Sequence, residues 1–282
     1  MDQITDYFES IPSLHRSLIL VGGLTFFWLL ESAVPLFHFR YNKWKHASLN
    51  IFFTITTIVV NFVLAFLLVL TSDWATSNQF GFLNWLSLDG WPFLLTGLLA
   101  MDLIGAYFIH WLEHKVKWMW QFHIIHHSDK EIDTTSANRH HPGESVFRLA
   151  FTVLAVLIIG APMWMVFMYQ TMSVVLTQFN HANIKMLPWL DQFLKVVFVT
   201  PDMHRVHHHY RQPYTDSNYG NIFSFWDRIF GTYKSAPNEK LIYGVDTMME
   251  SEKTNNIVEL LKKPFTRYSP PVMYAEEDNL NK

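Results

Sequence analysis

The chain has 282 residues, half of them hydrophobic, with 24 Phe, 11 Trp and only 16% charged side chains, against roughly 25% in a soluble domain. A net charge of −3 implies neither nucleic acid nor a broad anionic surface as a partner. The absence of cysteine removes disulfides, thiolate metal sites, iron–sulfur clusters and a thiol nucleophile.

The N-terminal Met-Asp-Gln-Ile-Thr-Asp is acidic and lacks the basic region of a signal peptide. Residues 17–37 then form an apolar run long enough to span a bilayer, with Glu31 its one charge and Pro35 near its end. Arg40, Lys43 and Lys45, mixed with Tyr41 and Trp44, suit a membrane interface. A second run covers about 47–71, with Asn50 and Asn61 as polar members. The loop at about 72–90 carries Asp73 and Asp89 but no Lys or Arg, so the positive-inside rule assigns 40–45 to the cytoplasm and 72–90 to the outside. Trp74, Trp85 and Trp91 fit an aromatic belt on that outer side. A third run, about 91–112, returns inward and delivers His110 and His114. Asp102 lies deep in it, where a carboxylate is costly; it is expected to support a ligand histidine or to tie a neighbouring helix.

Residues 113–145 are polar and expected to be cytoplasmic. A fourth apolar stretch, 146–182, is broken by Gly160-Ala161-Pro162, as two helices in a hairpin or one kinked span. The hairpin is favoured, because a single crossing would strand the last histidines on the opposite face. Residues 183–282 form a polar cap and tail. In it Thr200-Pro201-Asp202 reads as a helix start, and the proline-bearing acidic end reads as a loosely packed terminus. The fold class is therefore all-α: one membrane-embedded domain of about four spans, the last readable as a re-entrant hairpin, with a histidine-rich cytoplasmic cap that holds a di-metal site.

Three histidine blocks dominate the chain: His110 with His114, then His123, His126 and His127, then His204, His207, His208 and His209. Spacings of three and four place each block on one face of a helical turn. His141 and His181 lie between the second and third blocks. The candidate ligands are His110, His114, His123, His126, His127, His141, His181, His204, His207 and His208, whereas His15, His38 and His46 read as satisfied isolated residues. One zinc needs three or four ligands and leaves most of this set idle. Two first-row redox ions, iron above all, use it well and can activate O2 against an aliphatic C–H bond of a lipid.

The order His-x3-His, His-x2-His-His, Arg-x-His-Pro, Phe-x-His-x-Asn, His-x2-His-His resembles the fatty acid hydroxylase / sterol desaturase superfamily of membrane di-iron enzymes. The runs Thr200–His208, Thr215–Ile222 and Phe225–Tyr233 are similar to its bacterial members. The resemblance covers about residues 100–233. It implies a four-span fold, two non-haem irons held by the ten histidines above, and O2 as co-substrate. Hydrogen abstraction followed by hydroxyl return gives an alcohol, and loss of a second hydrogen gives an alkene. Hydroxylation of a fatty acyl, sterol or hopanoid, carotenoid or ether lipid is the first reading, and desaturation on the same site is the alternative.

Asp102, Asp216 and Asn218 are candidates to support the ligands, Asn218 and Asp216 also suiting a turn. His140 beside His141, and His209, leave the register of the ligand set open. His141-Pro-Gly-Glu144 departs from the haem-binding His-Pro-Gly-Gly pattern at its last position, so no fused cytochrome is expected. Electrons are expected from a separate cytochrome, ferredoxin or reductase, in a bacterial inner membrane with the site facing the cytoplasm. Two rivals remain. His110-Trp-Leu-Glu113-His114 also fits the His-x2-Glu-His pattern of inverzincin proteases, with Glu113 as general base on one zinc. A metal-binding membrane protein without catalysis is the other; against it, the first two spans carry no charge beyond Glu31, where a conducting path would need more.

Overall fold

The computed structural model describes residues 1–272. The helices long and apolar enough to cross a membrane are α1 (Ser13–Ala33), α2 (Lys43–Ser77, continuing through a turn to Trp85), α3 (Gly90–Lys115) and α5 (Pro142–Ile159). Between α3 and α5 runs α4 (Lys117–His127), outside the spans. After them come α6 (Met163–His181), α7 (Pro188–Leu194), α8 (Pro201–His207) and α9 (Phe225–Ile229). Among the described residues strand structure is limited to isolated bridges.

α2 is longer than the apolar run that predicts it. Its 35 residues reach roughly 52 Å, well beyond a bilayer core of roughly 30 Å. The polar residues that read as loop are absorbed into the helix. Thr71 and Thr76 donate to their own Leu67 and Ser72 carbonyls, and Ser72 Oγ donates to Ala161 O at 2.9 Å.

The break at Gly160 is a hairpin. Gly160 ends α5 in the left-handed region (φ 75°), and a Cβ there would lie 2.2 Å from Phe80 O. The turn therefore packs against the chain just after α2, at the end of the bundle that carries the exposed Trp74 and Trp85. α6 runs back from it, so His141 and His181 emerge at the same end. Met101, Val156, Ile159 and Met165 form the buried centre between α3, α5 and α6. Phe62, Phe66 and Leu70 on α2 face outward as a lipid-facing surface.

Asp102 supports no histidine. It accepts from Ile222 N, Phe223 N, Trp226 Nε1 and Tyr169 Oη at 3.1–3.3 Å. It is the tie that binds α9 and the loop before it to the span, because four donors from that loop, α9 and α6 replace the water a buried carboxylate loses. The stretch near Pro264 is also held: Gln121 Nε2 on α4 donates to Pro264 O and Thr266 O. The chain is anchored at least that far, and the acidic residues Glu276, Glu277 and Asp278 lie outside the described residues.

Candidate metal centre

Helical spacing brings the histidine blocks together at one end of the bundle. α3 changes to π geometry over Leu103–Phe108, immediately before His110, which resets the face on which His110 and His114 emerge. α4 presents His123, His126 and His127, α6 ends on His181, and α8 carries His204 and His207, with His208 as its cap. Thr200 starts α8 as expected, its Oγ1 accepting from Met203 N.

Nine of the ten predicted ligands fall into two groups, within each of which the ligand atoms lie within 4.8 Å of one another. The first holds His110, His114, His123, His127 and His207; the second holds His126, His181, His204 and His208. They adjoin: the His127 ring lies 4.5 Å from His207 in its own group and 4.7 Å from His208 in the other.

The Nδ1 atoms reveal the tautomers. His110 Nδ1 lies 2.9 Å from Tyr219 O and His207 Nδ1 2.6 Å from Ser217 O, and a carbonyl can only accept. His123 Nδ1 donates to Glu144 Oε1 at 2.8 Å and His114 Nδ1 to Asp216 Oδ1 at 3.2 Å. In the second group His181 Nδ1 donates to Thr177 O and Asn180 Oδ1. Each of these imidazoles, when neutral, presents a bare lone pair at Nε2.

Those lone pairs face one another. His110 Nε2 and His123 Nε2 are 3.1 Å apart with no proton left to share, and His114 Nε2 and His207 Nε2 are buried without partners. In the second group the Nε2 atoms also converge, His181 Nε2 standing 3.2 Å from His126 Nε2 and 3.1 Å from His204 Nε2. Nitrogens roughly 2.1 Å from a shared ion and at right angles would be separated by roughly 3.0 Å. The donor set therefore fits a metal ion in each group.

Burial favours the neutral, ligating form. It pushes His123 down to about 3, and His127, His204, His207 and His208 well below the usual imidazole range, with neighbouring imidazoles adding to the effect.

His141 joins neither group. Its Nδ1 accepts from Gly143 N at 2.9 Å as the N-cap of α5, and its Nε2 faces Leu261 O. Its neighbour His140 is nearer the centre, stacked on His126 at 4.5 Å and 2.7 Å from Glu144 Oε1. His209 is a tail contact, its Nδ1 accepting from Ile242 N. His46 sits in a separate buried network with Asp129 and Asp133, which Arg139 closes from 3.8 Å, so a cation already balances that cluster.

Of the expected supporting residues, Asp216 touches His114. Asn218 acts through backbone: at φ 52° it turns the chain so that the carbonyls on either side meet His207 and His110. Sequence reasoning missed Glu144. Its signal was present, since His140, Glu144 and Arg148 repeat at four-residue spacing where an apolar run begins. Glu113 is buried and bound by Arg148, which also holds Glu144. A half-open cavity lined by His114, Trp120, Tyr210, Asp216 and Tyr268 leads from the polar side to the first group.

Comparison with known proteins gives the family of the domain that carries these histidines. A fatty acid hydroxylase family model matches residues 94–232, about half the chain and all nine grouped histidines. An ornithine lipid hydroxylase of Rhizobium tropici is 25% identical over 181 residues, 64% of this chain and 53% of that protein. The human alkylglycerol monooxygenase is 32% identical over 155 residues, 53% of this chain and 32% of that protein. A very-long-chain aldehyde decarbonylase of Oryza sativa subsp. indica is 25% identical over 161 residues, 56% of this chain and 59% of that protein. The chain thus spans about a third to three-fifths of the length of these relatives. No solved structure matches it. With the histidine order, the helical bundle and the matched domain agreeing, the chain belongs to the fatty acid hydroxylase family.

Proposed function

We propose that the chain is a membrane-bound, O2-dependent oxidoreductase that hydroxylates an aliphatic C–H bond of a lipid. The observation that carries this reading is the pair of buried imidazole groups, with their lone pairs converging at one end of apolar spans. His110, His114, His123, His127 and His207 would hold one iron, and His126, His181, His204 and His208 the other. When bound, the irons supply the reduction of O2, so that a C–H bond, O2, two electrons and two protons become an alcohol and water.

The chain's own residues do the remaining work. Ser217 O, Tyr219 O, Glu144 and Asp216 hold the proton on Nδ1 of their histidines and so keep Nε2 free. Glu144 is itself oriented by Arg148, which fixes the His123 ring from behind. Burial of the nine side chains keeps most water from the ligand atoms. The ornithine lipid and alkylglycerol named for two relatives favour the acyl or alkyl chain of a polar lipid as the substrate. Lys43, Lys45, Lys115 and Lys117 flank the histidine end and Asp73 and Asp89 the opposite one, which supports a cytoplasmic site. The electrons come from a separate donor.

The test is to supply iron-loaded protein in lipid with a reducing system and heavy-isotope oxygen gas. The expected product is a lipid alcohol whose oxygen comes from the gas. An alkene without added oxygen would transfer the reading to desaturation, and an unchanged lipid pool would overturn both.

A further inference from the structure

Outside the spans, one apolar face has no partner among the described residues. On α7 Trp189 is 66% and Phe193 71% exposed, and Val196 just after it is 64% exposed. Beside them Ile229 at the end of α9 is 64% and Phe230 53% exposed. These are large side chains gathered on one surface, which a water-facing cap rarely tolerates.

The elements beneath this face are locked together. Ser224 N donates to Val197 O at 2.9 Å, Val199 N to Ile222 O at 3.0 Å, and Arg228 Nη2 to Lys195 O at 2.8 Å. The inner side of α7 meets the metal centre: Asp191 Oδ1 accepts from Thr200 Oγ1 at 2.6 Å, and Thr200 is the N-cap of the helix that carries His204 and His207. The outer side continues into the spans, since Phe230 stacks on Tyr107 of α3 at 5.2 Å. One unit therefore links an exposed apolar face, a lipid-facing span and the histidine helix.

We propose that residues 187–197 with Ile229 and Phe230 form an interfacial membrane seat that lies in the lipid of the leaflet on the histidine side. The occupant is lipid, because Phe230 packs on Tyr107 of the span α3, next to the exposed Phe108 of the same span. Aromatic and aliphatic side chains at that level, edged by Lys185 and Arg228, match the chemistry of a headgroup boundary. The seat would set the depth of α8, and with it the height of the metal ions relative to the lipid chains. This inference depends on the spans and not on the oxygenase reading, so either can fail alone.

The chain contains no cysteine, which makes single-site labelling clean. Phe193→Cys and Ile229→Cys, each in the full chain, would carry a nitroxide in nanodiscs of mixed neutral and anionic lipid. Phe62→Cys on α2, at an 82% exposed position, serves as the bilayer reference, and Glu239→Cys in the cap as the aqueous one. The expected result is that both seat labels relax with oxygen and not with a water-soluble nickel chelate, as Phe62→Cys does. Accessibility to the chelate comparable to Glu239→Cys would overturn the seat. So would shielding from both agents, whether with dipolar coupling between labels, which assigns the face to a second copy, or without it. Iron content of the labelled proteins should match the unlabelled chain, which separates this result from damage to the metal centre.

Discussion

The two histidine groups are built differently. In the five-histidine group four rings have their Nδ1 held from behind, by the carbonyls of Tyr219 and Ser217 and the carboxylates of Glu144 and Asp216. In the four-histidine group only His181 is so held, and the Nδ1 atoms of His126, His204 and His208 are buried without partners. The first group is preorganised by the fold. In the second, an ion bound there would have to settle the rings, since no partner on Nδ1 fixes the tautomer of three of them.

The largest expected effect separates the groups outright. His207→Ala should remove the ion of the five-histidine group and His204→Ala that of the other, so each variant retains about half the metal of the parent chain. His15→Ala should retain all of it. Loss of both ions from either single variant would mean that the groups are not separable sites.

Glu144→Gln sharpens the contrast. It removes the negative charge behind His123 and should weaken the five-histidine group for metal by roughly 10–100-fold, as loss of a supporting carboxylate usually does. The four-histidine group has no such carboxylate, so metal titration should show one weakened step and one unchanged. Equal weakening of both would contradict the division.

pH acts next. Burial holds His123 down to about 3, and His126, His127, His204, His207 and His208 well below the usual imidazole range, so all are neutral when the protein is folded. The unfolded chain takes up protons near pH ~6.5 and the folded chain does not. The metal-free protein therefore keeps this contribution to its stability above about pH 6.5 and loses it as pH falls toward the folded values. A thermal midpoint that rises as pH falls below 6 would contradict the assignment.

The smallest effect concerns His141. His141→Ala removes a helix cap and should cost about 1 kcal/mol of stability without changing metal content. A loss of metal greater than that of His15→Ala would return His141 to the ligand set.

Much of this was legible in the sequence, and the rest was hidden for identifiable reasons. Apolar runs gave the spans, because a bilayer leaves backbone polar groups little choice but a helix. Spacings of three and four gave the histidine faces, since one helical turn aligns them. The partners behind the histidines were harder to see. Tyr219 O and Ser217 O are backbone atoms, and a carbonyl leaves no mark in a sequence; the only trace was Asn218, a residue that tolerates the left-handed conformation the turn requires. Asp102 left two readings open because its depth in a span suggested chemistry, while three of its four donors lie more than a hundred residues later. His141 misled because a histidine before Pro142 looks like a ligand by composition, and only the backbone geometry at Gly143 makes it a cap.

The most direct test of the central claim is the metal content of detergent-purified protein, with iron and zinc read together. The account predicts close to two ions per chain after iron reconstitution, falling to about one in His207→Ala and in His204→Ala. A single zinc per chain that resists exchange for iron, and that His204→Ala leaves in place, would contradict it and bring Glu113 and the His110–His114 turn back to the centre.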